Sequence, residues 1–240
     1  MINTLAQRRD CVSDNKKAAL AFNAIDYDKS VVNDQEQALT LLMCDIVDST
    51  RMSVELSAQE MRSLLIAYYT TCAQQIDHNH GRMIQCVGDG VLAVFDKESA
   101  TDVNALNAAI TATELTQQIP ESLQSHSYIH RKVSVRVCVA SGLGIPIYSV
   151  PMGQELIFGQ LPFIASRLQQ AAKPNTVIFN ALAAKLIGSR LNLVKLGSLH
   201  LRGFAQRVRA WTLDTNHQPD CSTAVFTDRV YRQHCAHGIA

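Results

Sequence analysis

The sequence lacks the long apolar segments that mark membrane and secreted proteins. No run approaches the ~18 apolar residues of a membrane-spanning helix, and the N-terminus has no apolar core of the kind found in a secretory signal. The seven cysteines include no Cys-x-x-Cys pair and their number is odd, which is typical of thiols in a reducing compartment. We therefore expect a cytoplasmic protein that does not bind a membrane.

An excess of charge of either sign is also absent. The chain has 22 basic and 21 acidic residues and a formal net charge of +1, so its charge gives no reason to expect nucleic acid as a partner. Apolar residues make up 47% of the 240 residues, which is enough for a substantial core.

Changes in composition divide the chain into three regions. Residues 1–37 are polar and mixed in charge, and we interpret them as an N-terminal extension. Residues 38–214 carry the apolar periodicity expected of one domain. Residues 215–240 form a polar C-terminal tail, whose His and Cys residues are not spaced for a tetrahedral zinc site.

The periodicity of the domain predicts an α+β fold. Its first six elements are strand, helix, two hairpin strands, helix and strand, which is the ferredoxin-like βαββαβ pattern of one sheet with helices on one face. The predicted elements of this core are strands at 38–47, 82–87, 91–95 and 132–142, a loop at 48–56, a helix from the capping box of Ser57 and Glu60 to Gly81, and a helix at 99–118 that stops before Pro120.

Further elements are predicted after this core. Residues 145–159 fit no single type of element. They are followed by a helix with Pro162 in its first turn, a strand at 176–180, a helix capped by Asn180 and two final strands.

Two aspartates lie where neighbouring strands of this fold meet. Asp45 ends the first strand, and Asp89 lies between two glycines at the tip of the hairpin. Because the first strand and the hairpin are adjacent in a ferredoxin-like sheet, the two carboxylates can converge on a divalent cation such as Mg²⁺ or Mn²⁺. Asp-Gly is also a strong hairpin signal, so each aspartate alone has a structural explanation, and only the pair favours a metal site.

Four segments resemble class III nucleotidyl cyclase domains in their order and spacing. They are "LTLLMCDIVDSTRM", "HGRMIQCVGDGVLAVF", "GQLPFIASRLQQAAKP" and "LHLRGF", and the resemblance covers about residues 38–213. It implies a head-to-tail homodimer with active sites between the subunits. It also implies a reaction in which the ribose 3′-oxygen of a nucleoside triphosphate attacks the α-phosphorus and releases pyrophosphate.

The resemblance assigns roles to individual residues. Asp45 and Asp89, with the carbonyl of Ile46, would bind two Mg²⁺ or Mn²⁺ ions per site. Arg167 would come from the other subunit and stabilise the charge on the pentavalent phosphorus. The positions expected to contact the triphosphate are Ser49, Thr50 and Arg202.

Three positions depart from the pattern of the purine-specific members of this family. Gln85 stands where they have a lysine, Leu156 where they have an aspartate or another polar residue, and Phe163 where they have a ribose-binding asparagine. Gln85 offers one acceptor and two donors with which to contact a base, whereas Leu156 cannot pair with the amino group of adenine. Glu155 becomes a candidate for base recognition if the alignment shifts by one residue.

Three hypotheses follow from these departures. The one that we favour is a cyclase resembling the stand-alone pyrimidine cyclases of bacterial antiphage defence. It would prefer UTP to CTP as substrate, and its product would signal to a separate effector protein. The second is an adenylate cyclase with unusual base-selecting residues. The third is an inactive, nucleotide-binding domain, which the loss of the asparagine favours and the retention of Asp45, Asp89 and Arg167 opposes.

Overall fold

A computed structural model describes residues 35–124, 132–149 and 154–214 of the chain. The predicted tail at 215–240 and nearly all of the predicted extension at 1–37 lie outside the described residues, so the domain boundaries stay a prediction. Within the described ranges, no helix is both long enough and apolar enough to cross a membrane.

The ferredoxin-like core is present in the predicted order. Its elements are β1 (Gln37–Ile46), α1 (Ser49–Glu55), α2 (Ala58–His78), β2 (Arg82–Val87), β3 (Gly90–Phe95), α3 (Thr101–Gln124) and β4 (Val135–Ser149). The elements that follow are β5 (Gln154–Phe158), α4 (Leu161–Ala171), β6 (Thr176–Asn180), α5 (Ala181–Ile187), a 3₁₀ turn (Gly188–Arg190), β7 (Leu193–Leu199) and β8 (Val208–Leu213).

The strands form one sheet in the order β2-β3-β1-β4-β6-β8-β7, with β5 paired to the extended end of β4. β4 and β6 are parallel, and the other pairs are antiparallel. The order β2-β3-β1-β4 is that of a ferredoxin-like sheet, so the predicted α+β class is confirmed. It places the end of β1 beside the β2–β3 turn.

Alternate residues of β1 enter two separate cores. Leu42 and Cys44 pack with α2, α3 and α5 on one face of the sheet. Leu39 and Leu41 pack with α4 on the other face, because successive side chains of a strand point to opposite sides. The two helices of the ferredoxin-like core therefore share one face, as predicted, and the added helix α4 covers the second face.

Several local signals were interpreted correctly. The Ser57 hydroxyl and the Glu60 carboxylate form the reciprocal capping box at the start of α2. Pro162 lies in the first turn of α4. The Asn180 side chain accepts a hydrogen bond from the Ala183 amide and caps α5. Within the segment 145–159, which fitted no single element, residues 145–149 complete β4 and residues 154–158 form β5.

Three local predictions were wrong. Residues 49–55 form the short helix α1 and not a loop; only Met52 of its seven residues is buried, so its sequence shows no apolar periodicity. α3 continues through Pro120 to Gln124, where burial of Ile119 and Leu123 offsets the hydrogen bond that proline cannot make. α2 ends at His78, before Gly81.

Gly81 serves close packing, and its amide also donates to the Ile76 carbonyl at the end of α2 at 2.7 Å. The left-handed residue after α2 is His80, with φ of 63°. A β-carbon on Gly81 would lie 2.6 Å from Cζ of Phe95 and 2.8 Å from Cγ2 of Ile76. The glycine therefore lets the chain pass against the core as it enters β2.

Candidate active site

The β2–β3 turn presents Asp89 to the end of β1. Oδ2 of Asp89 accepts a hydrogen bond of 3.1 Å from the Ile46 amide. Gly88 beside it has φ of 62°, a conformation that glycine adopts without strain. The Tyr69 hydroxyl of α2 donates to the Gly88 carbonyl, so a helix side chain holds the turn in place.

Asp45 lies one residue before Ile46 and is half-buried. Burial raises the pKa of its carboxyl, and the negative charge of Asp89 raises this pKa further; the nearby Gln169 amide and the positive charge of Arg136 act in the opposite direction. Within the described part of the chain, Oδ1 of Asp45 is buried and makes no hydrogen bond. A buried acceptor without a donor is unusual, and a cation would satisfy it.

The residues present therefore fit a hard divalent cation. The negative charges of the Asp45 and Asp89 carboxylates repel each other, and a cation between them would relieve that repulsion. In an extended strand the N–H and C=O of one residue point to the same side, so the Ile46 carbonyl is directed towards Asp89. No group of three or more His, Cys, Asp and Glu side chains that could hold a metal ion occurs in the described ranges.

Ser49 and Thr50 are the first two residues of α1, which begins shortly after Asp45. Asp48, which precedes them, has a left-handed φ of 59° and makes no side-chain hydrogen bond to the helix. The first N–H groups of α1 are therefore not capped by Asp48. N–H groups at the start of a helix can donate to a phosphate.

Gln85 lies on the same face of the sheet as Asp45. It is opposite Leu92, Leu92 is opposite Met43, and Met43 is two residues before Asp45 on β1. Opposite residues of neighbouring strands share a face. The Gln85 amide makes no hydrogen bond with any described residue, so its donors and acceptor can contact a ligand.

α4 presents Phe163 and Arg167 on one side. They are four residues apart and therefore neighbours on the helix surface, while Leu161, Ala165 and Leu168 face the sheet. Phe163 is 68% exposed. Nη1 of Arg167 donates to Oε1 of Gln170 at 2.9 Å, and Arg167 makes no ion pair with a described acidic residue. Its positive charge is thus available to a phosphate.

Glu155 is engaged elsewhere, unlike Leu156 beside it. The Glu155 carboxylate forms an ion pair with Arg82, which also contacts Asp96 at 2.8 Å. This ion pair joins β5 to the start of β2 and makes Glu155 a poor candidate for base recognition. Leu156 is half-buried and pairs with Ile147 of β4. Leu156 therefore remains the candidate for contact with the base.

The structure brings together only part of the predicted site within one chain. Asp45, Ile46 and Asp89 converge, whereas none of the described hydrogen bonds or ion pairs joins them to Arg167 or Arg202. Arg202 is exposed in the turn after β7. A cavity of about 720 Å³ between α5 and strands β7 and β8 is separated from β1 by β4 and β6.

Sequence reasoning missed three residues that act on the two aspartates. Tyr69 holds the turn of Asp89, and Gln169 and Arg136 contact or neighbour Asp45. Each comes from an element distant in sequence, so no local motif identifies it. The one available signal was Arg136, a charged residue within the otherwise apolar alternation of β4.

Comparisons with known proteins agree with this arrangement. The sequence profile described as "Adenylate and Guanylate cyclase catalytic domain" matches residues 31–215. An uncharacterized protein of Rhizobium meliloti is 26% identical over 187 residues, which cover 76% of this chain and 18% of that protein. An adenylate cyclase of Streptomyces coelicolor is 27% identical over 156 residues, which cover 65% of this chain and 36% of that protein.

The fold also occurs among solved structures. The crystal structure of the adenylyl cyclase CyaB from P. aeruginosa matches with a TM-score of 0.72 at 20% identity, covering 78% of this chain and 98% of that one. At this identity the similarity shows the fold alone. The two curated relatives are much longer, because the alignments span only 18% and 36% of their lengths.

Proposed function

The chain belongs to the adenylate and guanylate cyclase catalytic domain family, and on that premise we propose that it is a metal-dependent nucleotidyl cyclase that favours UTP. Its products would be 3′,5′-cyclic UMP and pyrophosphate. The observation that carries the proposal is the convergence of Asp45 and Asp89 at the end of β1, with a buried carboxylate oxygen that lacks a donor.

The proposed reaction forms a bond between the ribose 3′-oxygen and the α-phosphorus and breaks the bond to the leaving pyrophosphate. Two Mg²⁺ or Mn²⁺ ions, when bound, lower the pKa of the 3′-hydroxyl and offset the charge of the triphosphate. Asp45 and Asp89 would hold these ions. Arg167 donates to the oxygens of the pentavalent phosphorus, where negative charge develops.

The triphosphate is held by groups on either side of these carboxylates. The first N–H groups of α1, with the hydroxyls of Ser49 and Thr50, contact the phosphate oxygens. Arg202 contributes positive charge to the β- and γ-phosphates in the dimer.

A head-to-tail homodimer completes the proposed site. Within one chain, Arg167 makes no described contact with Asp45 or Asp89. The Arg167 that acts at these carboxylates therefore has to come from a second copy of the chain. Exposed apolar side chains on the paired strands β4 and β5 and on α4 support this arrangement, because monomeric proteins rarely expose large apolar patches to solvent. They are Leu143, Tyr148, Phe158 and Phe163.

Base selection is assigned to Gln85, Leu156 and Phe163. The free Gln85 amide pairs with uracil in one orientation and with cytosine in the opposite one. Leu156 offers nothing to the amino group of adenine, and an unpaired amino group in the pocket costs binding energy. The exposed Phe163 ring would narrow the pocket against the larger purines. The cyclic nucleotide would act through a separate effector, with antiphage defence as the proposed setting.

An adenylate cyclase is the second candidate. It is favoured by the 27% identity to the adenylate cyclase of Streptomyces coelicolor, and the Gln85 amide can also pair with adenine. An inactive nucleotide-binding domain is the third candidate, which Phe163 at the ribose position favours.

We expect Mn²⁺ and an equimolar mixture of ATP, GTP, CTP and UTP to yield cyclic UMP as the main product. The physical reason is that the Gln85 amide and Leu156 together complement a pyrimidine edge better than that of adenine. The measurement is mass spectrometry of the nucleotides after incubation with purified full-length protein. Asp45→Asn protein is incubated in parallel as the blank.

Each other outcome selects a different hypothesis. Cyclic AMP as the main product would contradict the base assignment and leave the metal site intact. If no nucleotide is converted, a titration with UTP would separate an inactive nucleotide-binding domain, which binds, from a protein that does not use nucleotides at all.

A further inference from the structure

Gln169 is a buried amide on the side of α4 that faces the sheet. Only 6% of its surface is exposed, and it follows the fully buried Leu168. Buried polar side chains of this size occur where they have hydrogen-bond partners. Nε2 of Gln169 donates to the carbonyl oxygen of Arg136 on β4 at 3.4 Å.

The Gln169 amide lies directly over Asp45. Asp45 is opposite Arg136 in the β1–β4 register, so the residue whose carbonyl Gln169 contacts is the cross-strand partner of Asp45. The amide is also close enough to the Asp45 carboxyl to lower its pKa. Because an amide nitrogen has two hydrogens, it can serve the carbonyl and the carboxylate together.

This placement allows Gln169 to orient the carboxylate. Gln169 approaches Asp45 from the α4 side through the Arg136 carbonyl, while Oδ1 of Asp45 is buried without a partner. Asp89 approaches from the β2–β3 turn, where its carboxylate is fixed by the Ile46 amide. The buried Oδ1 of Asp45, which has no described donor, is therefore available to a cation.

We propose that Gln169 is a positioning residue that orients Asp45 for metal binding, and that it links α4, the helix of Arg167, to the metal site of its own chain. This inference rests on the proposed function. In a head-to-tail dimer Arg167 serves the partner's site and Gln169 serves its own, so a displacement of α4 alters both sites at once. Positioning partners of metal ligands change metal affinity by about 10–100-fold.

The test is a titration of the full-length dimer with Mn²⁺ alone, with free Mn²⁺ measured by electron paramagnetic resonance. Gln169→Met preserves the volume and removes the donors, and we expect it to bind Mn²⁺ at least about tenfold more weakly. Gln74→Met, at an exposed glutamine of α2, is the matched control and should bind like the wild type. Asp45→Asn should lose binding.

A second readout separates positioning from a general disturbance of α4. Activity measured against Mn²⁺ concentration should shift to higher concentrations in Gln169→Met and reach the same plateau. An unchanged Mn²⁺ affinity, or a lowered plateau without a shift, would overturn the inference, since the latter indicates an effect through Arg167. If Asp45→Asn binds Mn²⁺ like the wild type, the metal site itself is wrong, which is a failure of the proposed function.

Discussion

Asp45→Asn is expected to lower kcat by about a thousandfold while the fold stays intact. The substitution keeps the size of the side chain and removes the charge that holds the metal. Metal ions contribute several kcal/mol of charge stabilisation in such reactions, and about 1.4 kcal/mol corresponds to a tenfold change in rate. The measurement is the steady-state rate of pyrophosphate release at saturating nucleotide and Mn²⁺.

The same substitution, although it lowers kcat, should raise the thermal stability of the metal-free protein. Burial raises the folded-state pKa of Asp45, so the ionised carboxylate costs stability as the pH rises through that pKa. Asn carries no such charge. The Tm of Asp45→Asn should therefore exceed that of the wild type at about pH 8, and the difference should vanish below the ordinary aspartate pKa of about 3.9.

Asp48→Asn is the matched control for this prediction. Asp48 is exposed, makes no capping hydrogen bond and has a left-handed backbone that asparagine tolerates. Its activity should stay within about twofold of the wild type, as is usual for surface changes of about 0.5 kcal/mol or less. A variant Asp45→Asn that retains more than a tenth of the wild-type kcat would show that the carboxylate is not a metal ligand in the reaction.

Arg167→Ala is expected to lower kcat by about 100- to 1000-fold, the range found when one donor to a developing oxyanion is removed. The KM for the nucleotide should change little, because the guanidinium acts on charge that exists only in the transition state. Arg167→Lys should not restore the rate, since an ammonium group lacks the planar fork of the guanidinium. The rates come from the same pyrophosphate assay.

Arg62→Ala on α2 is the control for loss of an exposed arginine, and it should behave like the wild type. Should Arg167→Ala instead raise the KM and spare kcat, Arg167 would be a ground-state phosphate contact. An unchanged kcat and KM would remove it from the site altogether.

The predictable features are those with a local cause. The capping box of Ser57 and Glu60 and the proline at the start of α4 depend on residues within one turn, so their patterns identify the elements directly. The convergence of Asp45 and Asp89 followed from the ferredoxin-like strand order, because that order alone makes β1 the neighbour of the hairpin.

The contacts that tune the two aspartates have no local cause. Tyr69 and Gln169 reach them from helices 19 residues before Gly88 and 33 residues after Arg136, and one sequence does not show which helix face meets which strand. α1 was missed for a related reason, since a seven-residue helix with one buried side chain has no periodicity to detect. Pro120 shows packing overriding a local rule, as the buried Ile119 and Leu123 keep α3 helical.

The most direct test of the account is whether one active site is built from two copies of the chain. Asp45→Asn and Arg167→Ala chains are co-expressed with different tags and purified through both, so that each dimer contains one of each. Such a dimer has one intact site, and the account predicts about half of the wild-type rate of pyrophosphate release. Pairing a wild-type chain with a chain that carries both substitutions spoils both sites, so this control should be inactive. An inactive first dimer beside a half-active control would contradict the account, because that result places each site within one chain.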